Sequence, residues 1–376
     1  MSADDQVHNA GPSEKERADA LADLLAEHGG ERHAVILQEY PDPDAISSAL
    51  AHRLLGKEHG IEVDLIHGGR VSHQENLALV SLLDLELVRF DSDVEFDAYD
   101  GAVFVDNQGT TAQEVVDALA KAGVPILAVV DHHEPQNFLE PEFSDIREIG
   151  ATASIYVDYI RNGLVELVEG EEEHTKVATA LLHGILSDTN RFVRATERDF
   201  EAAAYLSQFR DVGLLEKIMS QARSRQTMEI IQRALEDREI VESYSIVGVG
   251  YLRSEDRDAI PQAADFLMSE ENVHTAIVFG IVRQGEEGEA MVGSMRTSKL
   301  TLNPDEFIKD VFGQSDDGRY FGGGKRSAGA FEIPIEFLAG EAGDEFEEMK
   351  WQVYDTQVRR KIYHKIGADE ADISSE

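Results

Sequence analysis

Short runs of β-branched and apolar residues recur between residues 30 and 200, separated by stretches whose apolar positions fall at helical spacing. They are HAVILQ from His33, VDLI from Val63, ELVRF from Glu86, AVFVD from Ala102 and PILAVVD from Pro125. Such runs predict strands, and their alternation with amphipathic segments predicts an α/β fold with a parallel sheet. Chemically active groups then belong at the carboxyl ends of strands, where crossover loops meet. From 201 to 238 the periodicity turns helical through LLEKIMSQARSRQTMEIIQRALED and predicts a connector. Beyond it, SIVGVGYL from Ser245, HTAIVFGIV from His274, AMVGSMR from Ala290 and FEIPI from Phe331 predict strands, and NPDEFIKDVF from Asn303 predicts a helix. The expected organisation is a solvated tail over 1–15, a catalytic parallel-sheet domain over 16–200, the helical connector over 201–238, a smaller α/β domain over 239–345, and a C-terminal helix with an acidic tail over 346–376.

A chain of 376 residues can bury two separate cores. Its 74 Asp and Glu against 34 Lys and Arg leave a formal net charge of -40. Molar salt screens such self-repulsion, the Debye length there being about 3 Å, so the charge reads as a halophile-like adaptation to solvent. It also argues against long duplex DNA as a partner, which needs a basic face. With no cysteine, any metal would be held by Asp, Glu and His, a donor set that favours Mn, Mg or Fe over Zn. No stretch approaches the ~20 apolar residues of a membrane span, and MSADDQVHNAGPSEKE lacks the basic and apolar regions of a signal peptide. A cytoplasmic protein without membrane partners is expected, and homodimerisation stays open.

Four acidic or histidine clusters stand where strands and helices should end. After HAVIL the chain turns through Pro41 and Pro43 and exposes Asp42 and Asp44 before a helix. Two carboxylates separated by one residue can reach adjacent cations, although Asp-Pro-Asp also suits a plain turn and helix cap. Asp106 terminates AVFVD and precedes Asn107, Gln108 and Gly109. In VVDHHEP, Asp131, His132 and His133 follow an apolar run; there they can supply a ligand, its orienter and a phosphate contact. LLHGILSDTNRF presents Asp188 beside Thr189, Asn190 and Arg191. Each cluster alone has a structural explanation as a cap or polar helix end, but four of them in one α/β chain point to a shared site.

In their order and approximate spacing, DPDA, the strand-ending Asp106, DHH and SDTNRF resemble the DHH phosphoesterase superfamily, in particular its oligoribonuclease/pAp-phosphatase branch. GGGKRSAGAFEIP resembles the glycine-rich motif of the DHHA1 domain that closes such proteins, and the likeness covers about residues 30 to 340. The resemblance implies a site for two Mn ions, with Mg as the alternative. Asp42 would bind one and Asp44 the other, Asp106 would bridge them, and His132 and Asp188 would complete the ligands of the second ion. Asp131 would orient a histidine and His133 would face the substrate phosphate. Two adjacent cations can acidify a shared water and stabilise an in-line displacement, so the expected nucleophile is a hydroxide on the metals rather than a side chain.

In the second domain, Arg296, Thr297, Ser298 and Lys299 of SMRTSK, with Gly322, Gly323, Gly324, Lys325 and Arg326, are candidates to grip phosphates, as is Arg191 in the first. The active site is expected in a cleft between the domains. Two positions depart from the family pattern, which has histidine where Gln38 and Lys325 stand here. An amide oxygen is a poorer ligand for Mn than imidazole, so Gln38 weakens the first metal site. The expected activity is hydrolysis of short single-stranded oligonucleotides and of 3',5'-bisphosphate nucleotides. Alternatives are a cyclic dinucleotide phosphodiesterase, a RecJ-like single-strand DNA exonuclease and a nucleotide-binding regulator impaired at Gln38, with an inorganic pyrophosphatase ranked lower.

Overall fold

The structure, a computed structural model, describes residues 12–71, 73–91, 94–220, 224–283, 288–315, 318–325, 327–335 and 344–368. Most of both expected tails, and Arg326, therefore lie outside the described residues. The chain divides between 222 and 223 into two compact units.

Strands β1 (Arg32–Ile36), β2 (Glu62–His67), β3 (Leu87–Arg89), β4 (Gly101–Val105), β5 (Ile126–Asp131) and β6 (Phe143–Ile146) form the sheet of the first unit. Every pairing in it is parallel, and the order is β3-β2-β1-β4-β5-β6. The helices of this unit are α1 (Glu14–Glu27), α2 (Pro43–Glu58), α3 (Gln74–Leu82), α4 (Gln113–Ala122), α5 (Thr152–Arg161), α6 (Glu172–Asp188), α7 (Glu197–Leu206) and α8 (Val212–Met219). Successive residues of β1 and β4 enter different cores: Val35, Val103 and Val105 pack into one, and Ala34, Ile36, Ala102 and Phe104 into the other. Burial on both faces is why these strands read as unbroken apolar runs. Strand order reverses between β1 and β4, and a sheet wound outward from that point leaves a crevice at the carboxyl ends of those two strands.

The second unit holds α9 (Arg225–Asp237), α10 (Ala259–Leu267), α11 (Pro304–Phe312) and α12 (Asp344–Ile366). Its strands are β7 (Glu239–Val241), β8 (Tyr244–Arg253), β9 (Thr275–Arg283), β10 (Glu289–Thr297), β11 (Gly322–Lys325) and β12 (Ala328–Ile335), in the order β11-β12-β10-β9-β8-β7. Only β8 and β9 pair in parallel. Ile230 of α9 and Ile260 of α10 share a core with Val247 and Val278, while Phe307 of α11 and Ile362 of α12 share another with Ile277 and Phe279.

The 201–238 stretch is divided between the units: α7 and α8 pack against α6, whereas α9 packs against α10 and β8. The expected glycine loop is instead strand β11. A Cβ on Gly322 would fall 2.2 Å from Ala330 O, and one on Gly324 would fall 2.6 Å from Ala328 O. Those glycines permit close strand approach. No helix of the described residues is long and apolar enough to cross a membrane.

Candidate metal centre

The candidate ligands stand at element ends: Asp42 and Asp44 at the amino end of α2, Asp106 and His132 just past β4 and β5, and Asp188 at the carboxyl end of α6. Pro43 opens α2 and Asp42 is its N-cap, Oδ1 accepting from the Ala45 amide at 3.0 Å. Asp44, one residue into the helix, is completely buried. Both of its oxygens face the start of α5, accepting from the Thr152 amide at 2.7 Å and the Ala153 amide at 2.8 Å. These are two of the amides that the first turn of a helix leaves without internal partners, and the helix dipole adds to their hold on an anion. Sequence reading missed Thr152 and Ala153; the small-residue run GATAS at a helix start was the available signal.

Asp106 follows β4 with φ 56, a left-handed backbone that costs a non-glycine residue roughly 1–3 kcal/mol and tends to persist at functional sites. Asn107 pins this turn by donating from Nδ2 to Ile36 O and Val105 O, both at 3.0 Å. Asp106 Oδ1 accepts from Thr152 Oγ1 at 3.0 Å, while its buried Oδ2 has no hydrogen-bond partner among the described residues. His132 sends Nε2 into the same space, 3.1 Å from Asp188 Oδ2, 3.5 Å from Asp106 Oδ1 and 3.9 Å from Asp44 Oδ2. Its Nδ1 lies 3.1 Å from Ile149 O, the partner expected for a donated proton, which would leave Nε2 as the ligand atom. Asp188 closes α6, and the three residues Asn190, Arg191 and Phe192 after it are all left-handed.

Burial pushes the Asp42 carboxyl up to about 6, and burial pushes those of Asp44 and Asp106 well above the carboxylate range. Asp188 adds repulsion at Asp42 and Asp44, and Asp44 adds it at Asp106. Burial opposes charge on His132, but Asp188 and Asp44 outweigh it and raise this imidazole to about 9. Buried carboxylates that repel one another, one bearing an unpartnered oxygen, fit a divalent cation. Two sets of ligand atoms lie within 4.8 Å of one another: Asp44, His132 and Asp188, and Asp106, His132 and His133. Asp42 stands outside both, hydrogen-bonded to Gln38.

Asp131 accepts from His133 Nδ1 at 2.8 Å through Oδ1 and from Gln108 Nε2 at 2.7 Å through Oδ2. Burial would raise the Asp131 carboxyl, yet the hydrogen bond from His133 holds it below its ordinary value. Gln108, another residue missed as functional, is itself fixed by the Gln136 amide at 2.7 Å.

The structure disperses the expected phosphate-gripping residues. Arg296 and Gly322 line a cavity of about 450 Å³ with Arg257, Ser294, Tyr320 and Phe321. Arg296 is bonded to Asp265 and Ser294. Thr297 is buried against Thr275, Ser298 meets His274 O, and Lys299 lies over the Tyr244 ring. These three do not line the cavity, and neither do Gly323, Gly324 and Lys325. Arg191 belongs to the first unit and is exposed.

Residues 33–185 match the DHH family, N-terminal domain. Over 333 residues, 88% of this chain and 63% of its relative, the sequence is 35% identical to the uncharacterized protein MJ1633 of Methanocaldococcus jannaschii. Over 188 residues, 48% of this chain and 56% of its relative, it is 31% identical to the "Probable manganese-dependent inorganic pyrophosphatase" of Bacillus cereus. The chain thus spans roughly three-fifths of the length of these relatives. In fold it is similar to an exopolyphosphatase-related protein from Bacteroides fragilis, with TM-score 0.67 and 16% identity over 91% of this chain and 97% of that one. It is also similar to an exonuclease RecJ bound to manganese, with TM-score 0.50 and 14% identity over 94% and 95% of the two chains.

Proposed function

Since residues 33–185 are a DHH family N-terminal domain, we propose that this chain is a divalent-metal-dependent phosphoester hydrolase acting on short single-stranded oligonucleotides and 3',5'-bisphosphate nucleotides. The observation that carries this reading is the convergence of Asp44, Asp106, His132 and Asp188 at the strand ends, with Asp106 Oδ2 buried and unpartnered. In this reading Asp44, Asp106, His132 and Asp188 would hold one Mn, and Asp106 with Asp42 and Gln38 would hold a second; Mg is the alternative. The oxygen-rich set suits Mn or Mg, and the manganese dependence in the Bacillus relative's name supports the choice. Bound there, divalent cations supply Lewis acidity toward a phosphoryl group and a water.

The protein's own groups do the positioning and the proton handling. Ionised Asp131, clamped by Gln108, fixes the His133 proton on Nδ1 and turns Nε2 outward. The His133 side chain is 30% exposed, so when the ring carries a second proton, on Nε2, that N–H is placed to donate to a substrate phosphate or to pass to the departing oxygen while Asp131 keeps the proton on Nδ1. Arg191, on its left-handed turn three residues past Asp188, offers a guanidinium to a neighbouring phosphate.

The cavity of the second unit supports a nucleotide substrate. A substrate phosphate would have to displace Glu332 from Arg257 or Asp265 from Arg296, while Tyr320 and Phe321 offer rings to a base; pyrophosphate has no use for the rings. The competing reading, pyrophosphate hydrolysis, is favoured by the name of the Bacillus relative over the first half of the chain. Turnover with Mn at high KCl of pAp, a dinucleotide, a cyclic dinucleotide, short RNA, short DNA and pyrophosphate separates the two. The dinucleotide or pAp is expected to exceed pyrophosphate by roughly tenfold or more in kcat/KM. Pyrophosphate turned over fastest would replace this reading with the competing one.

A further inference from the structure

A second convergence of metal-ligating side chains lies at the opposite, amino edge of the parallel sheet. His28 caps the carboxyl end of α1, Gly30 turns the chain with φ 86, Glu31 precedes β1, and His33 is the second residue of that strand. Glu31 Oε2 stands 2.8 Å from His28 Nδ1 and 3.2 Å from His33 Nε2, and the three atoms lie within 4.8 Å of one another. His33 is 1% exposed, and among the described residues its Nδ1 has no hydrogen-bond partner and Glu31 is the one hydrogen-bond partner of the buried ring. On the outer side of the cluster, His28 Nε2 faces Glu142 Oε2 at 3.7 Å.

We propose that His28, Glu31 and His33 form a binding site for a zinc-class divalent transition metal, separate from the catalytic cluster. Two imidazoles and one carboxylate are a three-ligand zinc set, completed by water. Ligands about 2.0–2.1 Å from a tetrahedral zinc stand roughly 3.3 Å apart, near both spacings around Glu31 Oε2. Glu142 stands 3.7 Å from His28 Nε2, so a small side-chain shift on metal binding would let it accept the outer N–H and leave Nδ1 as the ligand. The two sites differ in chemistry: the catalytic set is rich in oxygen, and this one in imidazole, which suits zinc. They also differ in place. His33 and Gln38 stand five residues apart along β1 and its continuation, roughly 16 Å at about 3.3 Å per residue. A cation here would tie α1 to β1 across the turn at 28–31, and the proposal is independent of which phosphoester is cleaved.

The test is a zinc titration of the full, chelator-stripped chain held in excess Mn, against a chromophoric chelator. Wild type is expected to take up one zinc more than His28→Asn or Glu31→Gln, and to gain a zinc-dependent rise in Tm that both variants lack. Glu142→Gln should keep the stoichiometry but bind about tenfold more weakly, as loss of an outer carboxylate does. Turnover with Mn should be the same in all four proteins. Equal zinc uptake by wild type, His28→Asn and Glu31→Gln overturns the proposal. If those two variants fail to fold, Co2+ added to Mn-loaded wild type decides: intense four-coordinate visible bands support the site, and only the weak bands of six-coordinate cobalt overturn it.

Discussion

Asp106→Asn is expected to lower Mn-dependent turnover by roughly a thousandfold, the scale on which loss of one group stabilising transition-state charge acts, without unfolding the protein. Asp106 sits just past the end of β4, its Oδ1 held by Thr152 and its Oδ2 buried without a partner, so the substitution preserves shape while removing charge. Stability should respond in the opposite direction to activity. The folded-state carboxyl of Asp106 is raised well above its ordinary 3.8, so between those values the native chain binds more protons than the unfolded one. Metal-free stability must then fall as pH rises through that window. Asp42, raised to about 6, and Asp44 act in the same sense. The asparagine variant loses its share of this slope, so metal-free Asp106→Asn should melt above metal-free wild type near neutral pH and gain less from Mn. Thermal melts at two pH values with and without Mn check this, and activity within tenfold of wild type removes Asp106 from the metal centre.

Gly184→Val should damage the site from beneath. Gly184 lies on α6 where that helix crosses α2, one turn before Asp188. A Cβ there would stand 2.3 Å from Ser47 Oγ, 3.1 Å from Pro43 O and 3.2 Å from Asp44 Cα. Ser47 can rotate away, but the backbone of Pro43 and Asp44 cannot without moving the first turn of α2, which carries Asp42 and Asp44. Overpacking of this kind costs about 1–3 kcal/mol, and here the shift separates Asp44 from Asp188 and His132. The expected result is a lower Tm together with Mn affinity weakened at least tenfold, on the scale of disturbed ligand positioning. A variant that melts lower but binds Mn as tightly as wild type would show that the helix crossing does not set the ligand spacing.

The parts of this molecule written as unbroken patterns were legible in the sequence. β1, β4 and β5 are buried on both faces and so appear as apolar runs, and the acidic groups that follow them stand at the strand ends where such a sheet places its chemistry. β6 was missed because its central residue, Asp145, is a buried charge held by Arg147, Arg17 and Tyr159, which breaks the apolar signal. α10 carries Pro261 near its start, and proline reads as a boundary more readily than as a first-turn residue. β11 has three glycines, and without side chains there is no alternation to see; the ladder to β12 alone makes it a strand.

Within the site, Asp44, Asp106, His132 and Asp188 converge as their motifs implied. What holds them did not show. Thr152 and Ala153 act through backbone amides, and Gln108 acts through Asp131 from 23 residues away. Such roles depend on tertiary contact and leave no local pattern.

The central claim is that this cluster is a divalent-metal centre that cleaves phosphoesters. Mn titration of the metal-free protein, with free Mn followed by electron paramagnetic resonance and dinucleotide cleavage measured in parallel, tests it most directly. The account predicts no cleavage without metal and two unequal Mn affinities. Cleavage should follow occupancy of the weaker site, and Gln38→His should tighten that site alone. Cleavage that persists in the metal-free protein, or a chain that binds no Mn while folded, would contradict it.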